Sequence, residues 1–342
     1  MQRPPTDDRR RLDPAPPPGH RPSGDPPPDR APRPTDDEVR HLVRTLLHED
    51  PTGPTDRAAP AAPDDAPRVR AVTEGGEFFT WWVGARHVLR MAPDRATSAR
   101  LTRELRLREL VRRHVGVPVP ASAAAGTWNG ALAHTLDHRL LGASGEDAPV
   151  SAAGESDLAA LLSGLREASA KDAHALGLPR TPPRSLDELR AGARHAAWLL
   201  VPDREFDVAG LARLTPRAVA QLAPRSGEVV VHGDLKGEHL RVTGDGHVCG
   251  VLDWTDAFVG DPAEDIGGLC ISVGAPAAVR AATLAGYGAR ECLRGLWLAR
   301  CDTVIRLADR LHGSDDSPVP LLRTQLARAW EPILLELLSA DD

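Results

Sequence analysis

The amino-acid sequence predicts an α+β protein of two lobes, a small N-terminal lobe built on an antiparallel sheet and a larger, mainly helical C-terminal lobe. Three observations lead there. β-branched and aromatic runs crowd residues 69 to 91, helical character dominates beyond about Gly145, and one stretch between Glu228 and Leu252 breaks the helical region with short apolar runs around a polar loop. With 342 residues and 41% hydrophobic content, the chain can bury one large bilobal domain or two ordinary ones.

Residues 1 to 34 hold 12 of the 32 prolines, interleaved with Arg and Asp and almost without large apolar side chains, so they read as a disordered tail. Order is expected to begin at Thr35-Asp36-Asp37-Glu38, a capping box that opens an amphipathic helix with Val39, Leu42, Val43, Leu46 and Leu47 on one face. Pro51 and Gly53 stop it, and residues 51 to 67 read as a linker. Three antiparallel strands follow at Val69 to Val72, Phe78 to Val83 and His87 to Met91, separated by Glu74-Gly75-Gly76 and Gly84-Ala85. A charged amphipathic helix is expected over Ala96 to His114, a linker over Val115 to Pro120 and a further strand at Ala131 to Leu136. In the C-terminal lobe the interrupting strands are Glu228 to Val231, Leu240 to Val242 and Val248 to Leu252.

A formal charge of −6 and a pI of about 6.1 supply no basic field for a phosphate backbone, which argues against nucleic acid as a partner. Cys249, Cys270, Cys292 and Cys301 form no C-x-x-C pair and have no histidine at ligand spacing, so they read as reduced thiols. No run of 18 apolar residues and no apolar secretory core is present, and the expectation is a cytoplasmic protein without a membrane partner.

The chemistry concentrates in His232-Gly233-Asp234-Leu235-Lys236-Gly237-Glu238-His239, which places a carboxylate just after a strand and a candidate metal ligand five residues later. Nineteen residues beyond Asp234, Asp253 ends another apolar strand in Leu252-Asp253-Trp254. Phosphoryl transfer needs such a set: one carboxylate to orient the acceptor hydroxyl and take its proton, and further ligands for the Mg²⁺ that bridges nucleotide phosphates. Aspartate is also a common turn residue, and Asp261 before Pro262 fits a structural cap better.

The stretch from Val229 to Leu269, with H-G-D, D-W and G-D-P-x-x-D in order, strongly resembles the aminoglycoside phosphotransferase family of antibiotic kinases, relatives of protein kinases. The resemblance extends more loosely from about Thr35 to the C-terminus and implies a bilobal, protein-kinase-like fold. By position it makes Asp234 the catalytic aspartate, grouped with His232, and Asp253 the metal-binding aspartate. His232 and Asp265 match supporting residues. Where most of the family has asparagine this chain has His239, and macrolide phosphotransferases look similar there, with Thr255-Asp256-Ala257 fitting that variant. Neutral imidazole can ligate a metal, though Mg²⁺ prefers oxygen.

Arg90, in Val88-Leu89-Arg90-Met91, sits where a strand cation would hold the α- and β-phosphates, and Glu104, on the following helix, is its expected partner. By resemblance they match the family's strand cation and helix glutamate. Gly75 and Gly76 are candidates for a glycine turn over the phosphates, since glycine lets backbone N–H groups approach an anion. The segment Leu136 to Gly142, with His138 inside it, resembles the interlobe hinge whose backbone binds the purine edge.

The resulting expectation is a kinase that moves the γ-phosphate of ATP or GTP, with Mg²⁺, to a hydroxyl of an antibiotic such as an aminoglycoside or macrolide. Asp256 is the nearest candidate to meet that substrate. A metabolic kinase of a sugar, amino alcohol or amino acid, and a nucleotide-binding pseudokinase, are the alternatives. The expected division is a tail to residue 34, a nucleotide-binding lobe over 35–137 and a catalytic and substrate lobe over 138–342.

Overall fold

The computed structural model describes residues 30–48, 68–72, 76–224, 227–313 and 315–334. The expected tail to residue 29, the linker and Gly75 lie outside the described residues. Helix α1 (Asp36–His48) opens with the capping box in place: the Thr35 N–H donates to the Glu38 carboxylate at 2.7 Å and the Glu38 N–H donates to the Thr35 hydroxyl at 3.3 Å. The sheet that follows comprises β1 (Val69–Ala71), β2 (Phe79–Val83) and β3 (His87–Met91), then helix α2 (Arg95–Val111), then β4 (Ser122–Trp128) and β5 (Leu132–His138). Its order is β1-β2-β3-β5-β4, antiparallel throughout.

Alternation along β2 buries Phe79, Trp81 and Val83, which pack with Val39, Val43 and Leu46 of α1 and with Leu89, Met91 and Leu136. Order starts earlier than Thr35. Arg30 and Arg33 lie over the Phe79 ring at 5.3 and 5.8 Å, Arg33 also lies over Trp81 at 5.1 Å, and Arg33 donates to the Val72 carbonyl. The physical reason is that two guanidinium planes cover aromatic surface that α1 leaves open.

Residues 139–142 carry the chain into the C-terminal lobe. Gly142 there has φ +118°, and a Cβ on it would stand 2.8 Å from the Cys249 sulfur and 3.0 Å from the Val242 carbonyl. A residue with a side chain cannot take that path. The lobe holds β6 (Ala143–Ser144), α3 (Ala152–Glu167), α4 (Ala170–Ala175), α5 (Leu186–Leu200) and α6 (Pro216–Gln221). Next come β7 (Val229–Val231), β8 (Leu240–Val242), β9 (Val248–Val251) and β10 (Phe258–Gly260). Helices α7 (Ala263–Ser272), α8 (Ala275–Leu284), α9 (Ala289–His312) and α10 (Val319–Ala329) complete it.

Two small antiparallel sheets, β6-β8-β9 and β10-β7, frame the polar loop between β7 and β8. Beneath that loop Leu235, Trp254, Ile266 and Leu269 share one buried cluster with α3, α8 and α9. The loop is thus anchored by its apolar residues on the same core that seats α7. Among the described residues no helix is long and apolar enough to cross a membrane.

Candidate active site

The residues of the loop between β7 and β8 are aimed by α7. Burying the start of that helix brings Asp265 under the loop, where its carboxylate accepts the backbone N–H groups of His232 at 2.8 Å and Gly233 at 2.9 Å. Gly233 has φ +83°, and a Cβ there would fall 2.7 Å from the Asp256 carbonyl, so the turn requires glycine. Burial pushes the Asp265 carboxyl up to about 7, against the two N–H bonds that favour its ionised form.

His232 is fully buried. One ring nitrogen, Nε2, faces the Leu252 carbonyl at 2.9 Å and must donate to it, which leaves Nδ1 to accept the Asp234 backbone N–H at 3.2 Å. The ring is therefore neutral, and burial, aided by nearby His239, lowers its pKa to about 4. Both ring nitrogens are thus committed to backbone, and the ring ties the loop to the strand end at Leu252.

The Asp234 carboxylate is partly exposed and carries Lys236 Nζ at 3.0 Å. His239 donates from Nδ1 to the Asp234 carbonyl at 2.8 Å, so the lone pair on Nε2 points away, toward Asp253 Oδ2 at 3.7 Å. A histidine oriented this way by a carbonyl has the tautomer that a metal ligand needs. Asp253 has φ +54°, uncommon for a non-glycine residue and worth about 1–3 kcal/mol of strain. Burial works against its charge, but His239, the Thr255 hydroxyl and Arg90 together hold its carboxyl below the usual range. One carboxylate and one imidazole nitrogen fit a cation that keeps most of its coordination for water and phosphate oxygens, as Mg²⁺ does.

In the upper lobe, Arg90 Nη2 donates to Glu104 at 2.8 Å, the pairing expected from the sequence. Sequence reasoning missed two further members of that cluster, Asp137 at the end of β5 and Arg108 one helical turn beyond Glu104. An i,i+4 Glu–Arg pair and a lone acid in an apolar strand were the available signals. Phe78 covers the Arg90 guanidinium at 5.1 Å. Gly76 is exposed at the head of β2, two residues before Phe78.

His138 is exposed, and its N–H is already given to the Ala121 carbonyl at 2.8 Å, as that of Arg139 is to Arg86 at 2.7 Å. Asp256 is exposed and ion-paired to Arg100 at 2.9 Å, while the same guanidinium reaches Glu77 at 2.7 Å. This salt-bridged chain runs from the head of β2 across α2 to the loop after Asp253. Burial raises the Asp256 carboxyl and Arg100 opposes the rise.

Two lobes, a strand cation held by a helix glutamate, and two loop carboxylates with a histidine between them make this chain a kinase acting on hydroxyl groups. It belongs to the phosphotransferase enzyme family, whose sequence pattern matches residues 68–296. The viomycin phosphotransferase of Streptomyces vinaceus is 31% identical over 238 residues, 66% of this chain and 80% of the relative. In fold, the chain is similar to the GDP complex of aminoglycoside 2'-phosphotransferase-IIIa, with a TM-score of 0.56 and 19% identity over 88% of this chain and 97% of that one. It is also similar to macrolide 2'-phosphotransferase MphH of Brachybacterium faecium, with a TM-score of 0.50 and 21% identity over 77% and 92%.

Proposed function

We propose that the chain transfers the γ-phosphoryl group of ATP or GTP, with Mg²⁺, to a hydroxyl of an antibiotic of the aminoglycoside, macrolide or viomycin kind. The observation that carries this reading is the convergence of Asp234 and His239, from the loop between β7 and β8, with Asp253 after β9: His239 lies 3.5 Å from the Asp234 carboxylate and 3.7 Å from that of Asp253. The acceptor hydroxyl donates to the Asp234 carboxylate, which orients it for in-line attack and takes its proton. Lys236 Nζ stands 3.0 Å from that carboxylate. Arg90 steadies the phosphates, and its second carboxylate partner prevents it from swinging away. Asp253 and His239 would hold Mg²⁺, which supplies charge neutralisation for the phosphates when bound.

Asp256 and Glu77 place two accessible carboxylates beside the loop after Asp253, which suits a cationic acceptor able to compete with Arg100 for them. The acidic net charge supports a small-molecule acceptor over nucleic acid, and the four unpaired cysteines support a cytoplasmic setting.

The test is incubation with Mg²⁺ and either ATP or GTP over a panel of aminoglycosides, macrolides and viomycin, read as acceptor mass increase by one phosphoryl group. Phosphorylation of a panel member is expected. Nucleotide binding with no transfer to any of them, while sugars or amino alcohols are phosphorylated, would replace this reading with a metabolic kinase.

A further inference from the structure

Arg90 has two buried carboxylates for partners, and the second is the informative one. Asp137 Oδ2 lies 3.3 Å from Arg90 Nε, 3.2 Å from Arg108 Nη1 and 3.1 Å from the Thr135 hydroxyl, while Oδ1 accepts from Ser122 at 2.5 Å and from Arg108 Nη2 at 3.3 Å. Glu104 Oε1 completes the set with Arg90 at 2.8 Å and Arg108 at 3.6 Å. Two cations and two anions, with side chains 15, 1, 1 and 7% exposed for Arg90, Glu104, Arg108 and Asp137, balance in charge out of water.

Three hydrogen bonds, from Ser122, Thr135 and Arg108 Nη2, and ion pairs to Arg90 and Arg108 hold the Asp137 carboxylate, which closes the strand that leads into the interlobe segment. What it does is fix a plane. Nε of Arg90 is ion-paired with Asp137 at 3.3 Å and Nη2 bonds Glu104, Phe78 covers one face, and among the described residues Nη1 meets no carboxylate. A lysine ammonium is a point charge and cannot satisfy two carboxylates with a fixed fork.

We propose that Asp137, held by Arg108, is a positioning residue that orients the Arg90 guanidinium for nucleotide phosphates, and that this second carboxylate is why the chain uses arginine at that place. The inference rests on the reading of Arg90 as the phosphate-steadying cation. A cluster that served stability alone would show its loss in melting temperature and would not couple to the identity of residue 90.

The experiment is calorimetry of Mg-ATP and Mg-GTP on the full chain without acceptor, for wild type, Asp137→Asn, Arg90→Lys and the double variant. Asp137→Asn and Arg90→Lys are each expected to weaken binding about tenfold, and the double variant to stay near tenfold where independent effects would give about a hundredfold. In turnover assays the Asp137→Asn loss should fall on the nucleotide KM, with kcat within about threefold. Ser122→Ala, which removes one hydroxyl hydrogen bond to the Asp137 carboxylate, should weaken binding about threefold with a smaller loss of melting temperature than Asp137→Asn, and it carries the test if Asp137→Asn does not fold. Unchanged nucleotide affinity in Asp137→Asn or Ser122→Ala, or additive losses in the double variant, would overturn the proposal while leaving the kinase reading intact. A wild type that binds neither nucleotide would overturn both.

Discussion

Arg90 in the N-terminal lobe and Asp234 in the C-terminal lobe are both held by buried carboxylates, but the holding differs in kind. Arg90 is fixed side chain to side chain, by Glu104 and Asp137, within a cluster of four charges. Asp234 is fixed through its backbone: Asp265 accepts two N–H groups of the loop, and the neutral ring of His232 accepts the N–H of Asp234 itself. A group gripped by its charge loses its place when that charge changes. A group gripped by its peptide keeps its place whatever its side chain becomes.

The sharpest way to break the comparison is Asp234→Asn. Since the peptide does the holding, the loop should keep its shape, and nucleotide affinity should stay within about twofold. Turnover should fall by a hundredfold or more if, as proposed, this carboxylate orients the hydroxyl and takes its proton. Paired calorimetry and turnover measurements check this, and a loss of nucleotide binding matching the loss of turnover would mean that the side chain, not the peptide, was holding the loop.

Asp265→Ala attacks the other half of the comparison. It strands two N–H groups that are paired in the native loop, at a cost of about 1–3 kcal/mol each, so the melting temperature should drop by several degrees. Turnover should fall about tenfold as the loop loses its register, and Asp265→Asn, which keeps one acceptor, should fall between. A stable Asp265→Ala protein with normal turnover would show that His232 alone aims the loop.

The two lobes also differed in how much the sequence disclosed. In the C-terminal lobe the loop, its flanking strands and both aspartates were legible because they are contiguous and bounded by apolar runs. Strand β4 was not, since Ser122-Ala123-Ala124-Ala125-Gly126 lacks β-branched residues and becomes a strand only by pairing with β5. β6 and β10, of two and three residues, are too short to show periodicity. The commitment of His232 to backbone, the spent N–H of His138 and the Arg100 bridge between Glu77 and Asp256 are all tertiary facts. No residue type at those positions could announce them.

A milder test concerns His239, whose Nε2 is aimed by the loop peptide and so belongs to the C-terminal pattern. His239→Asn should keep transfer within about tenfold of wild type, because an oxygen ligand of similar reach replaces the nitrogen. His239→Ala should need several times more Mg²⁺ for half-maximal transfer. Superimposable Mg²⁺ titrations of wild type and the alanine variant would confine His239 to holding the Asp234 carbonyl.

The smallest effect sharpens the comparison from the side of stability, at a buried polar residue of the sheet that nothing grips. His134 on β5 is 3% exposed, and neither ring nitrogen finds a hydrogen-bond partner among the described residues. Burial lowers its pKa from the ordinary value of 6.5, so the folded protein keeps the ring neutral where the unfolded chain would protonate it. The sign follows from proton counting. Above pH 6.5 neither state binds the proton and stability is unaffected; below it the unfolded state binds more, and stability is lost progressively as pH falls toward the folded pKa. His134→Leu removes both unpaired nitrogens and the titration together. At pH 7.5 it should raise the melting temperature by a few degrees or less, about 1 kcal/mol of recovered desolvation. Between pH 6.5 and 5 its advantage over wild type should widen, and because His232 titrates in the same direction in both proteins, the difference isolates residue 134. Turnover should not change. Parallel melting curves for the two proteins across that range would mean that the ring finds a proton acceptor within the folded sheet.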